Sequence, residues 1–304
     1  MRIVFMGTPE IAVTPLRILA EKHDITGLFC QPDRPAGRKR LLTPPATKQA
    51  AVELGIPVFQ PLKLRGTEVL DNIKELAPDI ITVIAYGKLL PSALLELPVY
   101  GCINAHASLL PKYRGAAPIQ YAIMNGETKT GITIIRMNEG LDTGDMIVSR
   151  EIDILDNDDA SSMVDKMSPL AAQLLLESIE LIANKRTVPI AQDDSKASYA
   201  PIIKKDDGYF SFSDDAKKIT DKVRGLCVWP TAFFKTRQKT VKVFSAGYSK
   251  MQGAAGEILS LNPLTVAAKD GSVELLEVMP SAGKRMEGTA LVSGMRLKKG
   301  DYLQ

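Results

Sequence analysis

The sequence is poor in the residues that staple small domains or bind metals. Its 304 residues include three cysteines, Cys30, Cys102 and Cys227, and two histidines, His23 and His106. The cysteines are odd in number, far apart and without a C-x-x-C pair, which argues against a disulfide framework and fits reduced thiols. So few His and Cys side chains make a zinc site unexpected, and no metal is assigned. No run approaches the roughly 18 uninterrupted apolar residues of a membrane span. The segment Met1–Gly7 enters an apolar strand directly, without a basic stretch, a long apolar stretch and a small-residue cleavage site. A signal peptide is therefore not expected, and a cytoplasmic location without a membrane partner is. Internal repeats and low-complexity tracts are also missing. Gly7-Thr8-Pro9 follows the first strand without a G-x-G-x-x-G, so the fingerprint of a nucleotide-dependent oxidoreductase is lacking.

What is present suits a two-domain globular chain. Hydrophobic residues make up 45% and charged residues 24%, enough apolar material for a sizeable core. The net charge of +3 is too small to imply a polyanionic partner by itself. Its distribution says more: after Lys205 there are 15 Lys and Arg against 11 Asp and Glu, whereas the front part is near neutral.

The first half alternates short apolar runs with helical stretches. Ile3–Met6, Ile25–Cys30, Asp79–Ala85, Gly101–His106 and Gly131–Met137 have the texture of strands buried on both faces. Ile11–Glu21 and Thr47–Leu54 read as helices, the second stopped by Gly55. This alternation predicts an α/β fold with a mostly parallel open sheet. Ala160–Asn184 reads as one long helix with a break expected at Ser168-Pro169. The polar stretch Thr187–Ala200 then reads as a linker. Beyond Asp206 the short runs Val241–Phe244, Gly256–Leu259, Leu264–Ala268 and Val273–Val278, separated by Gly and Pro, predict a small β-rich barrel or sandwich.

The most informative stretch is Cys102-Ile103-Asn104-Ala105-His106-Ala107-Ser108-Leu109-Leu110-Pro111. Asn104 and His106 lie two apart at the end of a predicted strand, so an amide and an imidazole project from one face. They stand at the carboxyl end, where open α/β sheets bind ligands. The alternative is a hydrogen-bonded structural histidine beside a turn-forming asparagine. Lys112 through Gln120 reads as a loop leading into a helix. Gly140-Leu141-Asp142-Thr143-Gly144-Asp145 is either an ordinary Asp/Gly turn or a turn that aims Asp142 into a cleft.

Taken together, Asn104-x-His106, Ser108–Pro111, Arg114–Pro118 and Asp142–Asp145 resemble the signature of the folate-dependent formyltransferases. Phe5–Glu10, Gln31–Arg38, Pro57–Pro61 and Ala85–Gly87 resemble the branch of that family whose acceptor is an aminoacylated tRNA. The resemblance spans nearly the whole chain and is strongest before Asp145. Ala107 departs from it, standing where the family often has glycine. The resemblance implies a Rossmann-like catalytic domain over residues 1–189, a linker over 190–205 and an OB-like β-barrel that binds tRNA over 206–304. It further implies direct transfer of a formyl group from 10-formyltetrahydrofolate, through a tetrahedral intermediate, to methionine esterified to initiator tRNA. Asn104 and a protonated His106 are then expected to donate to the oxyanion, with His106 shuttling the proton and Asp142 orienting the imidazole. Main-chain groups of Ser108, Leu109, Leu110 and Pro111 are expected to hold the folate, with Tyr86 and Gly87 on the opposite wall. No covalent enzyme intermediate is required, so no Cys or Ser nucleophile is expected.

The basic residues follow the same division. Arg34, Arg38, Lys39 and Arg40 read either as a solvated loop or, by the resemblance, as the loop that enters the tRNA acceptor end. Arg38 matches the family's sensor of the unpaired terminal base pair. In the C-terminal part no Asp or Glu occurs between Asp221 and Glu257, and that window carries Lys222, Arg224, Lys235, Arg237, Lys239, Lys242 and Lys250. Such a face suits phosphate contacts, while the interleaved Trp229, Phe233, Phe234, Phe244 and Tyr248 read as core. A monomer is expected. Two rivals stay open at this point: a formyltransferase acting on a purine precursor or an amino sugar, and a nucleic-acid-binding protein without catalysis.

Overall fold

The computed structural model describes residues 1–36, 41–236 and 239–303 and divides into two compact units. Unit 1 comprises residues 1–118, 130–152 and 164–201; unit 2 comprises 119–129, 153–163 and 202–304. The division is therefore not a single cut at a linker. The ties that place residues 153–163 in unit 2 are specific: Arg224 Nη1 donates to the carbonyls of Leu155 (3.0 Å) and Asp158 (2.7 Å).

Unit 1 is built on a seven-stranded sheet. Its strands are β1 (Arg2–Gly7), β2 (Asp24–Phe29), β3 (Val58–Phe59), β4 (Ile80–Ile84), β5 (Cys102–His106), β6 (Lys129–Arg136) and β7 (Met146–Asp153). Their spatial order is β7-β6-β5-β4-β1-β2-β3. The pairings β1–β2, β1–β4, β2–β3 and β4–β5 are parallel, and β5–β6 is antiparallel. The mostly parallel sheet of the sequence reading is thus found, with β7 added at the edge. That strand escaped prediction because its residues are exposed or half-buried and present no apolar run.

Burial explains the apolar runs. Ile3, Val4, Phe5 and Met6 have no exposed surface, since both sheet faces are covered. On one face Val4, Met6, Ile81 and Val83 pack with Ile73 of the helix Thr67–Leu76. The helix Ala160–Ala183 contains Pro169 without interruption, so the expected break does not occur. Ser168 is buried there, and its hydroxyl donates to the Ile11 carbonyl (2.9 Å).

Unit 2 carries a six-stranded antiparallel sheet: β8 (Ala232–Lys235), β9 (Thr240–Ser249), β10 (Ile258–Leu261), β11 (Leu264–Ala267), β12 (Ser272–Pro280) and β13 (Met286–Glu287). The path is β8-β9-β12-β11-β10, with β13 on β12. Phe210, Phe212 and Phe234 form its aromatic centre, with ring centroids 5.1–5.6 Å apart. Among the described residues no helix is long and apolar enough to cross a membrane.

Candidate active site

β5 places Asn104 and His106 on one face at its carboxyl end, with Val83 of β4 beside Asn104 and Thr133 of β6 beside His106. Both side chains are nearly covered, at 9% and 5% exposure. The carboxylate of Asp142 reaches them from the turn after β6. Asn104 Nδ2 donates to Asp142 Oδ1 (3.3 Å), and His106 Nδ1 stands 3.6 Å from Asp142 Oδ2. The Gly115 N–H also donates to Oδ2 (2.8 Å). The three polar side chains singled out in the sequence therefore converge around one carboxylate.

The imidazole is oriented by main chain. His106 Nε2 lies 2.8 Å from the Tyr113 carbonyl oxygen. A carbonyl only accepts, so Nε2 carries the hydrogen and Nδ1 is the site that can take a proton. Tyr113 itself has φ 60°. Its N–H donates to Ser198 Oγ (2.9 Å), which holds the loop that presents its carbonyl.

Residues 190–201, expected as linker, belong to this site. Tyr199 and Ala200 pair in parallel with Arg114 and Gly115. Gly115 has φ 122°, and a Cβ there would lie 2.6 Å from the Ala200 carbonyl oxygen, so only glycine allows that approach. Arg114, 2% exposed, donates from Nε (3.0 Å) and Nη2 (2.8 Å) to Gln192 Oε1. Nothing in the polar composition of 187–200 marks these contacts; only the prior strand-end geometry would have prompted a search for them.

Ser108–Pro111 and Tyr86–Gly87 are the segments expected to bind folate. Ser108 is buried, and its hydroxyl donates to the Lys112 carbonyl (2.6 Å). Thr133 Oγ1 donates to the Ser108 carbonyl (2.7 Å) and accepts from the Leu110 N–H (3.2 Å). The Leu109 carbonyl accepts from the Lys112 N–H and the Pro111 carbonyl from the Ser198 N–H, so these main-chain groups serve the loop itself. What Ser108–Pro111 leaves outward is half-buried Leu109 and Pro111. Tyr86 is 2% exposed, its ring in the core and its hydroxyl without a partner among the described residues. The reason lies one residue earlier. Ala85 has φ 48°, which breaks the strand alternation and sends the next side chain inward. Ala85, Gly87 and Leu89 are the exposed residues of that turn, an apolar rim that suits a flat ring. No group of three His, Cys, Asp or Glu among the described residues is placed to hold a metal ion.

Neither core thiol is poised for chemistry. Burial pushes Cys30 up to about 11 and Cys102 to about 12. At pH 8 their thiolate fractions are about one in a thousand or less. Iodoacetamide is expected to leave both unmodified in the folded protein and to label them once denaturant is added. Mass spectrometry showing rapid labelling of Cys30 without denaturant would contradict this.

The basic residues divide sharply. Arg38, Lys39, Arg40 and Arg237 lie outside the described residues. The chain on either side of 37–40 pairs as a hairpin, Arg34–Ala36 with Leu41–Thr43. Its base is anchored by Asp33, which accepts from Lys48 Nζ and Gln60 Nε2 at 2.8–2.9 Å. Lys235 and Lys239 are exposed, Lys235 Nζ lying 5.7 Å above the Tyr209 ring. Lys242 is half-buried, and its Nζ donates to the Pro230 carbonyl (3.1 Å). Lys222 and Arg224 are engaged by carbonyls of unit 2. The aromatics correct the reading as core. Phe233 and Phe234 are buried, whereas Trp229 (55%) and Tyr248 (47%) are exposed.

The chain is similar to known proteins over nearly its whole length. The family described as Formyl transferase matches residues 1–179, and the one described as Formyl transferase, C-terminal domain, matches residues 202–296. A methionyl-tRNA formyltransferase from Citrifermentans bemidjiense is 45% identical over 306 residues, covering 100% of this chain and 96% of that relative. The methionyl-tRNA formyltransferase structure from Clostridium thermocellum matches with a TM-score of 0.56 at 21% identity, over 81% of this chain and 93% of the other. HypX from Aquifex aeolicus, solved in complex with tetrahydrofolic acid, matches with a TM-score of 0.65 at 18% identity, over 100% of this chain and 50% of the other. At those identities the two structures speak to the fold alone.

Proposed function

The chain belongs to the formyl transferase family and transfers a formyl group to methionyl-tRNA, and from that premise we propose how its own residues carry the reaction. The donor is 10-formyltetrahydrofolate, and the acceptor is the α-amino group of methionine esterified to initiator tRNA, in the cytoplasm. Transfer is direct: the amine nitrogen bonds to the formyl carbon, negative charge collects on the formyl oxygen, and the donor nitrogen leaves with a proton.

The observation that supports this reading is the meeting of Asn104, His106 and Asp142 at the end of β5, within 3.3–3.6 Å. The Asn104 amide has a second N–H beyond the one given to Asp142, and that hydrogen is the donor for the developing oxyanion. His106 takes the amine's proton at Nδ1, because Nε2 is held by the Tyr113 carbonyl. The cation so formed rests beside the Asp142 carboxylate, and the same proton then serves the leaving nitrogen. His106 thus keeps its expected part as proton carrier, and the oxyanion is left to Asn104. Ala85, Gly87, Leu89 and Leu109 supply the apolar rim for the donor's ring system. No thiol takes part.

The deciding assay mixes the protein with 10-formyltetrahydrofolate and methionyl-initiator tRNA and follows formylmethionine. Product from the charged tRNA, and none from amino sugars or a purine precursor amine, is the expected result. Formylation of the small amines alone would refute the tRNA assignment.

Unit 2 is proposed as the tRNA-binding domain, with Lys235, Arg237, Lys239 and Lys242 as candidate phosphate contacts alongside Arg38, Lys39 and Arg40. Binding is therefore expected to weaken steeply with salt. Each lost phosphate contact lowers the slope of log affinity against log salt by about 0.7–0.9. Lys235→Ala should show one such decrement in a filter-binding titration, whereas a slope unchanged from an already flat wild type would remove the role given to unit 2.

A further inference from the structure

We infer that Gln192 is a positioning residue for formyl transfer, holding Asp142 in the backbone conformation from which its carboxylate reaches both Asn104 and His106. The inference rests on the catalytic reading above and adds a residue to it.

Asp142 has φ 54°, in the left-handed region. Side chains other than glycine adopt that conformation at a cost of about 1 kcal/mol or more, so it persists only where the surroundings fix it. Gln192 fixes it. Its Nε2 donates to the Asp142 carbonyl (2.8 Å) and to the Gly144 carbonyl (2.8 Å), spanning the turn with both amide hydrogens. Its Oε1 accepts two hydrogen bonds from Arg114. Every donor and acceptor of the carboxamide is thereby used.

The arrangement closes on itself. Arg114 is followed directly by Gly115, whose N–H binds the Asp142 carboxylate. Asp142 is thus held through its main chain by Gln192, itself bound to Arg114, and through its carboxylate by Gly115. The buried guanidinium polarises the Gln192 amide and strengthens its donation toward the turn. Asp194 meets the outer side of Arg114 at 2.7 Å, but its side chain is 82% exposed, so the half-buried Gln192 is the better-shielded partner. Gln192 touches neither Asn104 nor His106 in any hydrogen bond described, so its effect on them passes through Asp142. Misplacing a catalytic group by about 1 Å can cost about 10²-fold in rate.

A merely structural tie would predict something different, and a double-mutant cycle separates the two. Gln192→Ala and Gln192→Glu are made in the full-length protein, each with Asp142 intact and in an Asp142→Ala background. Gln192→Glu keeps an acceptor for Arg114 but loses the hydrogens given to the two carbonyls, so it guards against simple unfolding of the alanine variant. With Asp142 present, Gln192→Glu should lower kcat by about 10-fold or more, leaving KM for both substrates within about twofold. In the Asp142→Ala background the same change should alter kcat by less than about twofold, since nothing remains to position. An equal factor in both backgrounds, a loss that tracks the melted fraction, or wild-type kcat in Gln192→Glu overturns the inference. Wild-type turnover in Asp142→Ala alone would instead overturn the catalytic reading on which it rests.

Discussion

Replacing His106 by alanine is expected to lower turnover by about 10²-fold or more while leaving the protein folded. The ring's Nε2 is occupied by the Tyr113 carbonyl, so Nδ1, 3.6 Å from Asp142, is where a proton can be received. The truncation removes that site and leaves the Tyr113 carbonyl without its partner, at a cost of about 1–3 kcal/mol. That is a fraction of the about 5–15 kcal/mol that holds a typical domain together, so a folded protein with a lower Tm is the outcome. His106→Gln is the sharper variant. Its terminal amide can still donate to Tyr113, yet it has no basic nitrogen, so Tm should recover while turnover does not. Single-turnover formylation and a thermal melt on both variants check this, and near-normal kcat in either would reject His106 as the proton carrier.

The second large effect comes from a residue with no chemistry. A Cβ on Gly144 would overlap the Arg136 carbonyl oxygen and press on the Arg136 carbon at 2.8 Å. Both neighbours are backbone of β6 and cannot rotate away, so the turn carrying Asp142 must shift. Gly144→Ala is expected to cost about 1–3 kcal/mol in stability, as overpacking does. It should also lower kcat by about 10²-fold, because the displaced group is the one beside the imidazole. The paired readouts are Tm and kcat under saturating substrates. A variant with wild-type values in both would show that the turn absorbs the methyl without moving Asp142.

How far the sequence carried this can be traced residue by residue. Asn104 and His106 were legible because strand periodicity puts i and i+2 on one face and the sheet rule places that face at the ligand end. Asp142 was legible as a turn residue from its glycines, but its place beside the imidazole came only through the family resemblance, since the 35 residues between His106 and Asp142 carry no pairing signal. Tyr113 could not be found at all: it acts through its carbonyl, which every residue possesses. Thr133 fell within a strand prediction, and its hydroxyl ties to Ser108 and Leu110 depend on the β5–β6 register. The inward position of the Tyr86 ring was not legible, because it follows one left-handed residue, Ala85. In unit 2, Trp229 and Tyr248 were misread as core because composition names aromatic residues without saying that Trp229 sits in a turn and Tyr248 on the open side of β9.

The short pairing of Tyr199–Ala200 with Arg114–Gly115 bears on where the catalytic unit can be severed. The boundary expected from the sequence falls at residue 189, and the match to the family ends at 179. Either would amputate the strut that supplies Gln192 and Ser198 to the active-site loops. A fragment meant to retain the reaction on small amine acceptors should run at least to Pro201, since the tail of the sheet domain doubles back as the scaffolding of its own active centre.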